Sequence, residues 1–164
     1  MWWFLAIAAA QADVVDRVVA VIAGEPILAS DVRLEAALEA VDLEAAPFFR
    51  LGDAEGRVMA TAMIRTAASR LVLIEPDSDA VRTRLESIRG QFSEHSAWST
   101  WLQRTGVDEE GLIAALRRRI LVERFLERDV APAHLEPEPY AIAVGSLLEE
   151  LALRTPARRV PAIP

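Results

Sequence analysis

The segment over residues 14–32, VVDRVVAVIAGEPILASDV, constrains the fold more than any other part of the chain. Its first half contains a short β-branched apolar run that is typical of a strand: Val18, Val19, Val21 and Ile22. Gly24 accepts a positive φ and Pro26 fixes its own φ, so the chain can turn there and return as a brief second strand at residues 27 and 28. The segment therefore predicts a β-hairpin.

Five helices are predicted after the hairpin, because apolar residues recur at intervals of three and four. Ser30 is the expected N-cap of the first helix, and Asp31 suits the positive end of its dipole. Gly106 is expected to end the fourth helix as a left-handed C-cap, and Asp108 to start the fifth. The helices are expected over about residues 31–43, 53–74, 77–90, 93–106 and 108–128.

The character of the sequence changes after Val130. Prolines and glutamates predict a stiff, acidic linker over residues 132–139. Apolar residues at helical spacing then predict a last helix over residues 140–154, followed by an extended tail over residues 157–164. Pro161 lacks a backbone N–H, so a strand here must lie at a sheet edge or end at this residue.

The hairpin and the helices that follow it resemble the N-terminal module of SurA-type periplasmic chaperones, a family that also includes parvulin-type peptidyl-prolyl isomerases. Four later segments carry the resemblance in the family's order: MATAMIRTAASRLVLIEP, DSDAVRTRLESIRGQF, the segment with Trp98 and Trp101, and GVDEEGLIAALRRRILVERFLERDV. The resemblance implies a mainly α-helical domain over residues 13–131 with a small β-hairpin.

In the larger members of that family, a parvulin domain follows this module, and a last helix and strand return to pack on it. The residues after Val130 are too few for a parvulin domain, but they resemble the returning helix and strand. The resemblance therefore implies that residues 140–164 pack back on the same domain, with a possible C-terminal strand.

The composition excludes several classes of function. The chain has 25 acidic and 18 basic residues and a net charge of -7, which disfavours nucleic acids as partners because affinity for them comes largely from neutralising phosphates. The absence of cysteine excludes disulfides, thiolate catalysis and cysteine-bound zinc. His95 and His134 lack the spacing of a metal or catalytic motif, so no metal, cofactor or catalytic residue is predicted.

Residues 1–12, MWWFLAIAAAQA, are uncharged and mostly apolar, and they end in the small-residue pattern that signal peptidase accepts. They predict an export signal cleaved after Ala12 and a periplasmic location. An apolar extension packed on the domain is the alternative. The run is about half of the ~20 residues needed to span a bilayer, so no stable membrane insertion is expected.

Aromatic and methionine side chains are the candidates for a peptide-binding surface. Trp98 and Trp101 lie one helical turn apart, and methionine adapts to varied partners. Together with five other residues they are expected to line an apolar groove: Phe48, Phe49, Met59, Met63 and Phe92. The alternative is that all seven side chains belong to the core, where large apolar residues usually lie.

The charged residues show no pattern that singles out a site. The densest basic run is Arg117-Arg118-Arg119, whose side chains spread around a helix and do not form one flat anion site. Ordinary ion pairs with neighbours such as Glu109 or Glu123 are their expected use. The many carboxylates are expected at helix starts and on solvated faces.

The resemblance implies an ATP-independent periplasmic chaperone that binds apolar segments of unfolded envelope or outer-membrane proteins. Two other functions stay open. One is an isomerase-family protein with residual or partner-supplied activity, and the missing parvulin domain argues against it. The other is a structural subunit of an envelope complex with one fixed partner. No enzyme is predicted, and the sequence leaves the clients and the oligomeric state open.

Overall fold

The structure is a computed structural model and describes residues 16–69, 71, 75–130 and 136–161 of the chain. It has the predicted mainly α-helical fold with a small antiparallel sheet. In chain order the elements are strands β1 (Val18–Ile22) and β2 (Glu25–Leu28), helix α1 (Ala29–Val41), a 3₁₀ helix (Pro47–Arg50), helices α2 (Ala54–Ala68), α3 (Ser78–Arg89), α4 (His95–Thr105), α5 (Glu109–Asp129) and α6 (Pro137–Arg154), and strand β3 (Ala157–Arg159). None of the helices in these ranges is both long and apolar enough to cross a bilayer.

Strand β1 lies at the centre of the sheet, between β2 and β3. It is joined to β2 by the two-residue turn Ala23-Gly24, in which both residues have positive φ, 50° and 85°. A type I′ turn requires this combination, and its twist matches that of the flanking strands. On the other side of β1, Val21 lies opposite Arg158 of β3. The predicted hairpin and C-terminal strand are therefore confirmed, and β3 ends before Pro161.

Ala23 is the only residue other than glycine with positive φ in the described part of the chain. Its Cβ makes the left-handed conformation unfavourable by roughly 1–2 kcal/mol, whereas asparagine tolerates that conformation better. We expect Ala23→Asn to raise the melting temperature by about 2–4 °C, equivalent to about 1 kcal/mol. Calorimetry measures the change, with Ala157→Asn in extended β3 as the control. A melting temperature no higher than that of the wild type contradicts strain at this turn.

Helix α1 begins at Ala29, and its N-cap is Leu28, so the predicted cap at Ser30 is wrong. Two carboxylates take the place of the serine hydroxyl. Asp31 accepts a hydrogen bond from the Leu28 N–H at 3.0 Å, and Asp16, which precedes β1, accepts one from the Ser30 N–H at 3.2 Å. Hydrogen bonding to Ser30 lowers the pKa of Asp16. A cap supplied by a residue outside the helix, such as Asp16, cannot be predicted from the residues around the helix start.

Two other helix boundaries differ from the prediction. Helix α2 ends at Ala68, not near residue 74, and hydroxyl groups compete for backbone carbonyls at this end. Thr66 donates to the carbonyl one turn earlier, and Ser69 donates to the Thr66 carbonyl, both at 2.9 Å. Helix α6 begins at Pro137, inside the predicted linker, because proline is favourable in the first turn of a helix.

The described core forms three clusters around α2 and α5. One lies between the sheet and α2, and a second joins α1, α3, α4 and α5. The third contains Phe48 and Phe49 of the 3₁₀ helix together with residues of α2 and α5. Helix α6 adds Tyr140, Val144 and Leu151 to this third cluster, so the C-terminal helix packs against the N-terminal body.

Candidate functional site

An apolar groove of about 350 Å³ lies between α2 and α6, and we call it the α2–α6 groove. The 3₁₀ helix and the loop after it also contribute to its lining. The larger apolar side chains that line it are Phe48, Leu51, Val144 and Leu148. Its volume falls at the lower end of the range of ligand pockets, roughly 300–1,000 Å³.

Small residues keep the groove open. Gly56 and Ala60 lie one turn apart on α2, and Ala141 and Gly145 lie one turn apart on α6. A Cβ atom built on Gly145 would have no neighbouring atom within 4 Å. A Cβ atom at position 145 would therefore lie in open space.

Arg57 is the cation that lines the groove, and its side chain is already paired. Its Nε donates to Glu35 at 2.9 Å, and its Nη2 donates to Glu39 at 2.6 Å. Its Nη1 donates to the Gly52 carbonyl at 2.9 Å. Because two carboxylates balance this charge, the groove favours an apolar ligand over an anion.

Glu35 also connects the groove to a buried ion-pair network. Arg119 of α5 donates from Nη1 to Glu35 at 2.8 Å, and its Nε lies 3.2 Å from Asp42 Oδ2 without forming a hydrogen bond. The Arg119 guanidinium stacks on Phe49, with Cζ 3.9 Å from the ring centroid. Arg119 therefore forms ion pairs, as expected of the basic run, but with Glu35 and Asp42 and not with Glu109 or Glu123 of its own helix.

The network continues through Asp42 to α3. Asp42, at the end of α1, binds Arg84, and Arg84 Nη2 donates to Glu123 of α5 at 2.7 Å. Glu123 also accepts a hydrogen bond from the Ala46 N–H at 3.0 Å. Glu35 and Asp42 are both buried, so the prediction that the carboxylates lie on solvated faces is wrong for them.

Burial sets the protonation behaviour of this network. It raises the pKa of Glu35 and of Glu123 and lowers the pKa of Arg119, while the ion pairs act in the opposite direction. The partners of these carboxylates are guanidinium groups, which do not exchange protons near neutral pH. The arrangement is suited to holding α1, α2, α3 and α5 together.

The structure does not bring the seven predicted binding residues into one groove. Phe48 lines the α2–α6 groove, and Phe49 is fully buried in the cluster beside it. Met63 packs against both this cluster and the cluster under the sheet, and Met59 packs against the sheet cluster alone. The other three belong to the cluster that joins α1, α3, α4 and α5: Phe92, Trp98 and Trp101.

These three aromatic rings form a compact group of their own. Trp98 and Trp101 stack with centroids 5.5 Å apart, and Phe92 meets Trp98 edge-on at 5.4 Å. Trp98 is buried, whereas Phe92 and Trp101 are half-buried. Core packing accounts for Trp98, as it does for Phe49.

Comparison of the chain with protein-family models, with curated proteins and with solved structures gave no match. Function is therefore inferred from the groove, from the charges around it and from the sequence. Within the described ranges, no three potential metal ligands cluster together. His95 is exposed, with Nδ1 3.5 Å from Arg89 Nη2, and His134 lies outside the described residues.

The residues that open the groove were not among the predicted binding residues. Their signal in the sequence is a pair of small residues four apart, Gly56 with Ala60 and Ala141 with Gly145. Two small residues four positions apart lie on one face of a helix and leave space beside that face. They do not show which helix lies opposite. Only the tertiary structure places the two pairs on either side of one groove.

Proposed function

We propose that this protein is an ATP-independent holding chaperone of the SurA N-terminal type, which binds apolar segments of unfolded polypeptides in the α2–α6 groove. The observation that carries the proposal is an apolar groove held open by glycine and alanine on both helices. The order of elements supports it too, since a hairpin and five helices are followed by a helix and a strand that return to the first strand.

The chemistry of the groove suits clients of varied sequence. Its larger lining residues are aliphatic or aromatic, and the guanidinium of Arg57 is occupied by Glu35 and Glu39. Binding therefore depends on apolar area more than on directional hydrogen bonds, and apolar contact does not specify a sequence. A groove of about 350 Å³ covers only a short segment, which favours weak binding and release without ATP.

The proposed location is the periplasm, and the proposed clients are unfolded envelope proteins such as outer-membrane β-barrels. The export signal on which this rests, residues 1–12, lies outside the described residues. We propose no catalytic activity. We disfavour the alternative of a peptidyl-prolyl isomerase, because the resemblance is to the module that precedes the parvulin domain in that family.

The groove is tested by filling it. An unfolded β-barrel protein is diluted from urea with and without the purified chain, and its aggregation is followed by light scattering. We expect the wild type to suppress aggregation and Gly145→Leu to lose most of this activity, because the leucine occupies the open space at position 145. Ser146→Leu is the control, since it adds the same side chain to an exposed position of α6 outside the groove.

Equal suppression by both variants and the wild type would show that the groove does not hold clients. Failure of the wild type to suppress aggregation contradicts the chaperone proposal itself. Recovery of a single tight partner in a pull-down, in place of many weakly held clients, favours a structural subunit of an envelope complex.

A further inference from the structure

Acidic side chains border the α2–α6 groove. Asp53 lines it directly, while Glu138 and Glu149 flank the small residues of α6. Glu138 precedes Ala141 by three positions and Glu149 follows Gly145 by four, and residues at these spacings are neighbours on a helix surface. The rim of the groove therefore carries negative charge from both helices.

The carboxylates of Glu138 and Glu149 are available to a ligand, whereas Asp53 Oδ1 already accepts a hydrogen bond from the Gly56 N–H at 2.7 Å. All three side chains are exposed, and none forms an ion pair with another described residue. The guanidinium of Arg57, which also lines the groove, is occupied by Glu35 and Glu39. Among the described residues that line the groove, Arg57 is the one cation, and the whole chain has a net charge of -7.

We propose that the groove selects apolar segments flanked by lysine or arginine. This inference rests on the proposed function, and it names the class of client segment that the same groove prefers. The apolar part of the segment lies against the glycine and alanine residues, and the flanking cations reach the exposed carboxylates. Each exposed pair contributes little, so several together are expected to change affinity by about tenfold.

Two fluorescein-labelled peptides test the preference. They share one apolar stretch of alanine, valine and leucine, and carry either two lysines or two glutamates at each end. Fluorescence anisotropy measures their dissociation constants for the full chain. We expect the lysine peptide to bind about tenfold more tightly at low ionic strength, and the difference to shrink towards unity at about 1 M salt, where the Debye length is about 3 Å.

A pair of double variants locates the charge effect. Glu138→Gln with Glu149→Gln is expected to remove most of the preference, whereas Glu109→Gln with Glu110→Gln changes the net charge equally at the start of α5 and should leave it intact. All four residues are exposed, so neither double variant disturbs the core. Gly145→Leu is expected to weaken the binding of both peptides.

The outcomes separate this inference from the proposed function. Equal binding of the two peptides to the wild type, or a preference that survives Glu138→Gln with Glu149→Gln, overturns the charge selection. In that case, loss of both peptides in Gly145→Leu still supports the groove as a chaperone site. Failure of the wild type to bind either peptide overturns both the charge selection and the groove.

Discussion

Replacing Arg119 with methionine is expected to lower the free energy of unfolding by about 3–5 kcal/mol. Arg119 is buried and contacts both Glu35 and Asp42. Methionine keeps much of the apolar packing, but it leaves one negative charge in the buried network without compensation. Since domains are stable by only about 5–15 kcal/mol, urea denaturation followed by circular dichroism should show a large change. Arg117→Met is the control because Arg117 is exposed on the same helix.

The decrease in the free energy of unfolding of Arg119→Met should also depend on pH. Burial already raises the pKa of Glu35 in the wild type, and removal of Arg119 takes away a charge that opposes this rise. A carboxyl whose pKa is higher in the folded state than in the unfolded state reduces stability when it is ionised, and the cost is relieved as pH falls through the folded pKa. The variant should therefore lie closer to the wild type at about pH 4 than at about pH 7. Equal stability of Arg119→Met and Arg117→Met would contradict the role of the network.

A chain that ends at Val130 is expected to lose most of its stability or to become insoluble. It lacks α6, whose Tyr140, Val144 and Leu151 cover the cluster around Phe48 and Phe49. Uncovering a few hundred Å² of apolar surface is equivalent to several kcal/mol at about 25 cal/mol per Å². Thermal unfolding measures the loss. Truncation after Arg154 removes β3, whose side chains are all exposed, and it should lower the melting temperature much less.

A single substitution makes the same test within the full chain. Val144→Asp places a carboxylate at a site that is only 2% exposed, whereas Ser146→Asp places it on the exposed face of α6. We expect the first to unfold at a markedly lower temperature and the second to resemble the wild type. If both variants and the chain ending at Val130 melt with the wild type, helix α6 is not part of the stable body.

Local signals account for most of the fold that could be predicted from the sequence. Asp108 begins its helix as expected, and Asp53 likewise caps α2; each accepts a hydrogen bond from an N–H three residues later. Gly106 ends α4 with a φ of 74°, as a left-handed cap requires. These helix ends depend on a few neighbouring residues, so they can be predicted from the sequence alone.

The site depends on contacts between distant parts of the chain. Glu35 and Glu39 lie four apart in α1 and look alike in the sequence, yet the first is buried between two arginines and the second is exposed. Arg57 on α2 pairs with both glutamates, so their difference arises from Arg119 on α5, which pairs with Glu35 alone of the two. For the same reason, the spacing of Trp98 and Trp101 indicated a shared face but not whether that face lies inside or outside.

The pairing of β1 with β3 joins two strands that are far apart in the sequence. Ala20 lies opposite Arg159, so the sheet is complete only when two segments about 140 residues apart in the sequence have come together. Bringing such distant segments together is entropically unfavourable and slow. On the ribosome, this contact can form only after residue 159 has emerged. Until then, β1 lacks one of its two neighbouring strands.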